Sequence, residues 1–454
     1  MQKHYTWKAI KLLIVIFISW NAISCEKDND VSSTDDTLNS LLIKASGGRG
    51  SAYFKLPSGA NLAEFPQDPR NRLTPEKVAL GKILFHETCI GSNPKNTQGM
   101  MTYSCASCHH VEAGFQAGIA QGIGEGGIGF GTNGEQRKIN PSYPVDLIDV
   151  QPIRSPTVLN TAYQELMLWN GQFGAVGKNA YVQYAWTPGT PKETNLLGFQ
   201  GLETQAIAGQ NVHRLKIDKT FLGNITSIKY LFDQAFADIP ETGRMTPINA
   251  GLAIAAYERT LVSNEAPFQK WLNGNNNAMT ETQKQGALLF FGKAGCVQCH
   301  TGPALNSMEF YALGMDDLLT GNYGAINAGA DKAEHKGRGG FTGKAEDMYK
   351  FKVPQLYNLK GVKFLGHGAQ FESVKEVLDY KNKAIKSNAI VPDTQLASAF
   401  KPLNLTDDEL EKLRVFIEDG LYDANIKRYA PLTIPSGFCF PDNDTQSRID
   451  KGCQ

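Results

Sequence analysis

Apolar residues at helical spacing, separated by polar turns, predict a mainly α-helical protein. The clearest predicted helices cover residues 74–85, 247–261, 280–290, 374–384 and 406–420. Two of them begin with a capping box, Thr280 with Gln283 and Thr406 with Glu409. Glycine makes up 45 of the 454 residues, so we expect long ordered loops between the helices.

The N-terminal residues have the pattern of a targeting segment. Basic residues precede an apolar run at 12–20, which is typical of a secretory signal and too short to span a membrane comfortably. The small residues before Cys25 resemble a bacterial lipoprotein processing box. We therefore predict residues 1–25 as a lipoprotein signal, with Cys25 lipidated and first in the mature chain. An ordinary signal peptide with a coincidental cysteine is the alternative.

This prediction places the protein in the periplasm or at the cell surface, held to a bacterial membrane by its lipid anchor only. The next residues, 26–39, are polar and acidic without an apolar period. We predict that residues 26–60 form a flexible tether.

Composition narrows the class of protein. The chain has 45 Lys+Arg and 45 Asp+Glu, which argues against nucleic acid as a partner. Hydrophobic residues make up 41%, enough for a buried core, and the length suggests two or three domains. Eight cysteines are too few for a disulfide scaffold, so their placement is more informative than their number.

Four of the cysteines lie in two C-x-x-C-H motifs, the attachment pattern of c-type haem. The motif residues are Cys105, Cys108 and His109 in the first copy, and Cys296, Cys299 and His300 in the second. Two thiols at this spacing bind one porphyrin edge, and the following imidazole binds the iron. A redox C-x-x-C pair lacks its usual βαβ context here, and a shared zinc site would not explain the histidines. We predict two covalently bound haem c groups.

Each motif follows a helix that ends in G-x-x-L-F, at residues 81–85 and 286–290. This weak repeat predicts two cytochrome-c-like helical haem domains with long Gly-rich loops, at 61–265 and 266–425. The remaining residues, 426–454, are a polar tail in which Cys439 and Cys453 can close a short ring, worth about 3 kcal/mol by the chain-entropy estimate. Cys89 is then free, or exchanges into that pair.

Several further segments occur in a family order, at 80–85, 154–160, 169–171, 201–206, 256–261, 351–358 and 374–377. With the two haem motifs, the chain resembles the bacterial dihaem cytochrome c peroxidases and the methylamine-utilisation-type dihaem oxidases over about residues 73–423. The resemblance implies a peroxidatic haem on His109, an electron-transfer haem on His300, and Trp169 as the electron bridge between them. A core tryptophan is the alternative interpretation of Trp169.

The chain departs from the family pattern around the first haem. The loop 111–152 contains no histidine, so we expect the first iron to be five-coordinate or water-bound. The family's glutamate near the peroxide has no counterpart in 205–214. His213 is our candidate acid–base group, with Gln205 and Arg214 orienting or polarising the peroxide. A surface histidine is the alternative for His213.

Two other departures concern the second haem and a metal. The family's distal Met or Tyr aligns with Lys381, and Tyr380 is adjacent; only one can face the iron, and register favours Lys381. His367 matches a family histidine that we interpret as structural or as part of an electron path. The family's calcium is doubtful here, because Arg154 replaces its asparagine and Phe364 a proline.

Two G-x-G-x-x-G stretches, 122–127 and 129–134, lack the strand and helix of a nucleotide site. We interpret them as a loop that shapes peroxide access to the first haem. The leading function is a peroxidase that takes electrons from a small cytochrome or cupredoxin. A dihaem oxidase that modifies a partner protein and a non-enzymatic electron-transfer protein are the alternatives. The family resemblance also allows a homodimer.

Overall fold

The computed structural model describes residue 1 and residues 33–453. The predicted signal and Cys25 therefore lie outside the described residues. The fold is mainly helical, as predicted, and the described α-helices are α1 Thr34–Ala45, α2 Pro75–His86, α3 Gly201–Val212, α4 Lys219–Gly223, α5 Thr226–Ala235, α6 Glu241–Arg244, α7 Pro247–Arg259, α8 Pro267–Leu272, α9 Glu281–Phe291, α10 Arg338–Thr342, α11 Val374–Lys383, α12 Asp407–Val415 and α13 Thr445–Lys451.

The five helices predicted most clearly are confirmed as α2, α7, α9, α11 and α12, and α12 continues in a π-helical turn, Phe416–Gly420. Both predicted capping boxes are present, at Thr280 and Thr406. None of the described helices combines the length and the apolar character needed to cross a membrane.

In the described part of the chain, the strands form two short antiparallel pairs. Strand β1, Gly127–Ile128, pairs with β2, Lys138–Ile139, with Gly127 opposite Ile139. Strand β3, Phe310–Tyr311, pairs with β4, Phe351–Lys352, with Phe310 opposite Lys352. The first pair joins the middle of the Gly-rich segment 122–134 to residues 138–139, and the second lies beside the second haem motif.

The helices enclose two large hydrophobic cores. The first lies among α2, α3, α5 and α7, with Phe85 and Tyr257 fully buried. The second lies among α8, α9, α11 and α12, with Phe268, Phe290 and Phe416 fully buried. One C-x-x-C-H motif follows α2 and the other follows α9, so each core supports one haem-binding segment.

The glycine of each G-x-x-L-F repeat lies at a close helix crossing. A Cβ on Gly81 would collide with the carbonyl oxygen of Ala253 in α7, and one on Gly286 would collide with that of Lys412 in α12. The two copies therefore use the same residue for the same purpose, which is to let two helix backbones approach closely.

The N-terminal residues differ from the predicted tether. Helix α1 buries Leu38 and Leu42 completely in the second core. The indole nitrogen of Trp271 donates to the Asp35 carboxylate at 2.7 Å, which ties α1 to α8. The prediction of a tether over 26–60 is wrong from residue 34 onward, because Leu38, Leu41 and Leu42 recur at helical spacing and give α1 an apolar face that packs on the second core.

The C-terminal residues pack on the first haem segment. The predicted disulfide between Cys439 and Cys453 is present, and Cys89 is free and buried. We call residues 426–453 the C-terminal tail; they follow the second haem segment in sequence but contact the first. Ser104, for example, donates to the carbonyl oxygen of Pro441 at 2.9 Å. Each end of the described chain thus packs on the haem unit farther from it in sequence.

Candidate dihaem active site

The second haem motif forms a 3₁₀ turn, Cys296–Gln298, directly after α9. The Nδ1 atom of His300 lies 3.0 Å from the carbonyl oxygen of Pro354 and 3.1 Å from that of Leu305. Two acceptors fix the proton on Nδ1, which leaves Nε2 free to bind iron. Burial lowers the pKa of His300 to about 4, so the imidazole is neutral, as a metal ligand must be.

A cavity of about 730 Å³ adjoins this motif, within the range of about 300–1,000 Å³ typical of cofactor pockets. Its wall contains Cys296, Cys299 and His300 on one side, with Trp169 and Lys381 elsewhere in the lining. Haem c fits this site: the two thiols would form the thioethers and His300 would bind the iron.

The structure separates the two candidates for the distal position of the second haem. Lys381 lines the cavity, and burial lowers the pKa of its ammonium group while the nearby thiols of Cys299 and Cys296 oppose that shift. Tyr380 instead donates its hydroxyl hydrogen to the carbonyl oxygen of Leu313 at 2.7 Å. Lys381 is therefore the residue that faces the cavity.

Two residues of this cavity were not predicted from the sequence. Tyr311, on β3, lines the cavity beside Cys299, and burial raises its pKa. Lys352, on β4, is 6% exposed, and its ammonium donates to the carbonyl oxygen of Leu166 at 2.7 Å. Burial lowers the pKa of Lys352 to about 7. Both residues lie on the two-stranded ribbon of β3 and β4, which is built from segments distant in sequence.

Trp169 lies at the same cavity, toward the first haem unit. Its indole nitrogen donates to the carbonyl oxygen of Arg154 at 2.8 Å, which fixes the ring. Its ring centroid lies 6.3 Å from that of His367, which stacks on Phe351 at 3.6 Å. The Nε2 atom of His367 is 3.0 Å from an Asp317 carboxylate oxygen. The three rings form a continuous aromatic group beside the second haem cavity.

Arg154 occupies the place where the family resemblance implies calcium. Its guanidinium is buried and donates to the carbonyl oxygens of Ile119 at 2.7 Å, Ala117 at 3.1 Å and Lys363 at 3.1 Å, and to the side-chain oxygen of Gln116 at 3.1 Å. These oxygens are the neutral ligands that a hard cation would use. Since a fixed positive charge already fills them, the site does not fit calcium.

The first haem motif forms a matching 3₁₀ turn, Cys105–Ser107. Burial lowers the pKa of His109 to about 4, and the nearby carbonyl oxygens of Phe115 and Pro156 oppose that shift. The Nδ1 atom of His109 is buried and meets neither carbonyl at hydrogen-bond geometry. The neutral His109 suits an iron ligand, and Cys105 and Cys108 would hold the porphyrin.

His110, next in sequence, points away from this site. Its ring is buried against Phe130, with ring centroids 4.9 Å apart, and its Nε2 edge lies against Gly134. The Gly-rich segment therefore holds the His110 ring, and His110 cannot reach over the haem bound at the first motif.

Helix α3 presents two of the predicted catalytic side chains on one face. A Cβ on Gly209 would lie 3.6 Å from the amide nitrogen of Gln205 and 4.0 Å from Cδ2 of His213, so the two side chains flank this glycine. His213 also lies near enough to His109 that its positive charge lowers the His109 pKa. Gln205 and His213 therefore lie on the same face, and His213 is near the first haem motif.

A carboxylate supports His213. The Nδ1 atom of His213 lies 2.9 Å from Oδ2 of Asp149, which is 5% exposed, whereas the His213 side chain is 39% exposed. Burial opposes the charged form of His213, but Asp149 outweighs it and raises the His213 pKa. With the Nδ1 proton held by Asp149, the Nε2 atom of His213 is the one available to a substrate.

Glu125 completes this group, and it changes the role expected for Arg214. The Glu125 carboxylate is fully buried and accepts from the backbone N–H of Asn96 at 3.0 Å, from the Tyr143 hydroxyl and from the Arg214 guanidinium. Arg214 is thus committed to a structural ion pair and does not polarise the substrate as expected. Asp149 and Glu125 were missed because both lie in the loop 111–152, which has no local catalytic motif.

The Gly-rich segment 122–134 lies against the first haem motif. A Cβ on Gly122 would lie 2.9 Å from Sγ of Cys108, and one on Gly124 would lie 2.6 Å from Oδ2 of Asp149. Glycine is needed at both positions for this close approach. This placement agrees with a loop that walls the haem site rather than with nucleotide binding.

Comparison with known proteins gives a consistent family. Residues 75–277 match the sequence profile of the family described as di-haem cytochrome c peroxidase. The methylamine utilization protein MauG of Methylorubrum extorquens is 29% identical over 372 residues, covering 81% of this chain and 83% of that protein. The cytochrome-c peroxidase IdrP1 of Pseudomonas sp. (strain SCT) is 28% identical over 386 residues, covering 80% and 85%.

The fold comparison agrees. A crystal structure of a MauG-like protein associated with microbial copper homeostasis superposes with a TM-score of 0.57 at 20% identity, over 82% of this chain and 96% of that chain. The two chains share a fold. With the sequence matches and the two haem-binding segments, the chain is similar to the di-haem cytochrome c peroxidase family and carries two covalently bound haem c groups.

Proposed function

We propose that this protein is a dihaem peroxidase that converts hydrogen peroxide, two electrons and two protons into two molecules of water. The observation that carries the proposal is the Asp149–His213 pair beside the first haem-binding histidine, His109. The curated relatives named cytochrome-c peroxidase support the same activity.

The bound haems supply electron storage and the reduction of the O–O bond. The chain supplies proton transfer and orientation. His213 takes a proton from one peroxide oxygen at Nε2 and delivers it to the other. Asp149 holds the imidazole by Nδ1 and stabilises its protonated form, and the Gln205 amide orients the peroxide. Trp169 lies at the second haem cavity, where an indole can carry electrons toward the first site.

The electron donor and the location follow from the signal-like N-terminus. We propose that a small cytochrome or cupredoxin supplies the electrons outside the cytoplasm. The lipidated Cys25 would anchor the protein in the periplasm or at the cell surface. Labelling with a lipid precursor tests this point, because a Cys25→Ser variant would lose the label and would be released from membranes.

Steady-state oxidation of reduced cytochrome c by hydrogen peroxide tests the activity. The holoprotein should consume two reduced cytochromes for each peroxide. A preparation with two haem adducts by mass spectrometry that leaves both reduced cytochrome c and reduced azurin-type copper protein unoxidised would contradict the proposal.

An oxidase that acts on a partner protein is the second candidate. The absence of any histidine from the loop 111–152 favours it as much as it favours the peroxidase, since both need an open first site. Peroxide consumption measured with and without reduced cytochrome c distinguishes the two. In the oxidase case both haems are oxidised by peroxide, but added reduced cytochrome c does not accelerate peroxide consumption.

A further inference from the structure

The C-terminal tail makes buried contacts with the first haem motif. Its disulfide, Cys439–Cys453, closes a ring that contains α13. Ser104 and Ser107, both part of the first haem segment, donate their hydroxyl hydrogens to the carbonyl oxygen of Pro441 at 2.9 and 3.3 Å. The backbone at the haem motif is therefore joined to the closed ring of the tail.

Two carboxylates of the tail meet one arginine of the Gly-rich region. Oδ1 of Asp442 lies 3.0 Å from Nη2 of Arg137, and Oδ2 of Asp444 lies 3.3 Å from Nη1. All three side chains are buried, with exposed fractions of 0% for Asp442, 9% for Asp444 and 4% for Arg137. An ion pair in this environment is strongly destabilised when one partner is removed, because the other charge is left buried.

The other side of Arg137 holds the Gly-rich segment 122–134. Its Nε donates to the carbonyl oxygen of Ile123 at 2.6 Å, and its Nη2 donates to that of Gly124 at 2.8 Å. Asp444 adds a direct contact, because its Oδ1 accepts from the backbone N–H of Gly129 at 3.0 Å. The tail thus fixes both the beginning and the middle of the segment.

That segment touches both parts of the first haem site. Gly122 lies against Sγ of Cys108, where the porphyrin would be attached. The backbone N–H of Gly124 donates to the carbonyl oxygen of Asp149 at 3.0 Å, and Asp149 holds His213. A continuous series of contacts therefore joins the tail to the haem attachment and to the candidate acid–base pair.

We propose that Arg137, Asp442 and Asp444 are positioning residues of the first haem site. The disulfide-closed tail holds Arg137, and Arg137 holds the Gly-rich segment against Cys108 and the Asp149–His213 pair. The catalytic part of this proposal rests on the proposed function, because the Gly-rich segment forms a wall of the site where peroxide would react. The second haem site makes none of these contacts in the described residues.

Two variants of the holoprotein test the proposal independently. The first is the double substitution Asp442→Asn and Asp444→Asn, which removes the charges that hold Arg137. The second is Cys439→Ser with Cys453→Ser, which opens the ring and leaves the carboxylates in place. The control is Asp233→Asn, which breaks a partly exposed Arg–Asp pair, Arg244 Nη1 to Asp233 Oδ1 at 2.9 Å, that includes no residue of the segment or of the tail.

Three measurements apply to each variant. Hydrogen exchange reports the protection of the amides at 122–131. Electron paramagnetic resonance of the resting protein reports the first and second irons separately. Steady-state kinetics separate kcat from KM for peroxide. We expect at least a tenfold faster exchange at 122–131, an altered signal of the first iron only, and a fall of about tenfold or more in kcat/KM for peroxide.

Unchanged exchange at 122–131 and an unchanged first-iron signal in both variants would overturn the proposal. Equal changes at both irons would also overturn it, since they indicate a general loss of structure. If the double Asn variant does not fold, the Cys→Ser variant decides. Hydrogen exchange and electron paramagnetic resonance do not depend on turnover, so they test the positioning role by themselves. A protein without peroxidase activity would contradict only the proposed function.

Discussion

At the residue scale, the environment of His213 determines how the candidate acid–base group titrates. The imidazole must be neutral to accept the first proton from peroxide, and it is neutral only above its own pKa. Asp149 raises that pKa, so the pair sets the acid limb of the pH–rate profile. The Asp149 carboxylate therefore makes His213 a stronger base and fixes its tautomer. It also lowers the activity at low pH, because more of the imidazole is protonated there.

This view predicts the effects of two substitutions. His213→Ala should lower kcat/KM for peroxide by about 10² or more, since a positioned acid–base group contributes about 10²–10⁴. Asp149→Asn should move the acid limb of kcat/KM to lower pH, because removing the negative charge lowers the His213 pKa. Asp146→Asn, at an exposed position of the same loop, is the control and should leave the profile in place. If the pH dependence of kcat/KM in Asp149→Asn is identical to that of the wild type, Asp149 does not set the pKa of His213.

Lys381 and Tyr380 give a second prediction, on the potential of the second haem. Of the two residues, only Lys381 lines the cavity. Lys381→Met should therefore change the low-spin resonance signal of this haem and raise its reduction potential, as Met ligation does in c-type cytochromes. Tyr380→Phe should change neither quantity, because the Tyr380 hydroxyl is engaged by Leu313. The reverse pattern in a redox titration would assign the ligand to Tyr380.

Arg154 gives a third prediction, on metal dependence. A chelator should leave the thermal midpoint and both haem potentials of the wild type unchanged, because the guanidinium already fills the oxygen cage. Arg154→Asn should lower the free energy of unfolding by about 3 kcal/mol or more, since four buried acceptors lose their donor. Added calcium should recover part of this loss in the variant alone.

Calorimetry with and without calcium measures both effects. Arg72→Asn is the matched control, because Arg72 is exposed and its loss should change stability by no more than about 0.5 kcal/mol. Destabilisation of the wild type by a chelator would show that a metal is bound near the haems after all.

At the element scale, the two haem units repeat one helix crossing. Gly81 in α2 lies against α7, and Gly286 in α9 lies against α12. In each unit this crossing sets the direction in which the chain leaves the helix toward its haem motif. The repeat that is visible in the sequence is therefore a repeat of backbone contact, and the longer connection from Phe85 to the first haem motif lies outside it.

The crossing predicts the sign of three glycine substitutions. Gly81→Ala and Gly286→Ala should each lower the free energy of unfolding by about 1–3 kcal/mol, because the added methyl group collides with a backbone carbonyl. Gly223→Ala is the control: a Cβ there meets no atom within 4 Å, so the change should be neutral or slightly stabilising. Denaturant unfolding of the three variants measures this. Equal effects at all three positions would contradict the close crossing.

At the scale of the whole molecule, what the sequence predicts well is local. The haem motifs bring their ligands within five residues of each other, and capping boxes mark where α9 and α12 begin. The contacts that could not be predicted are distant in sequence. His213 and Asp149 are 64 residues apart, and Arg137 and Asp444 are 307 apart. No local pattern records such a pair, because its chemistry exists only after the chain has folded.

The lack of a local pattern also explains why the packing of the two ends of the described chain, α1 and the C-terminal tail, could not be predicted. Helix α1 follows a polar stretch, and its leucines, Leu38, Leu41 and Leu42, meet their apolar partners only in the second core. Among the described residues, the first helix packs in the second core and the C-terminal tail contacts the first haem segment, so the two ends connect the two cores. Both haem sites then depend on residues from both halves of the sequence.

This arrangement predicts that α1 stabilises the second haem unit although it lies far from it in sequence. Leu38→Ala should lower the free energy of unfolding by about 2–5 kcal/mol, because the side chain is fully buried in the second core. Ile43→Ala is the matched control on the same helix; Ile43 is 52% exposed, so its truncation should cost much less. Thermal unfolding followed at the haem absorbance, with the second haem identified by its potential, measures the effect. If Leu38→Ala behaves like Ile43→Ala, helix α1 does not dock, and the residues before 46 act as the tether that their polarity suggests.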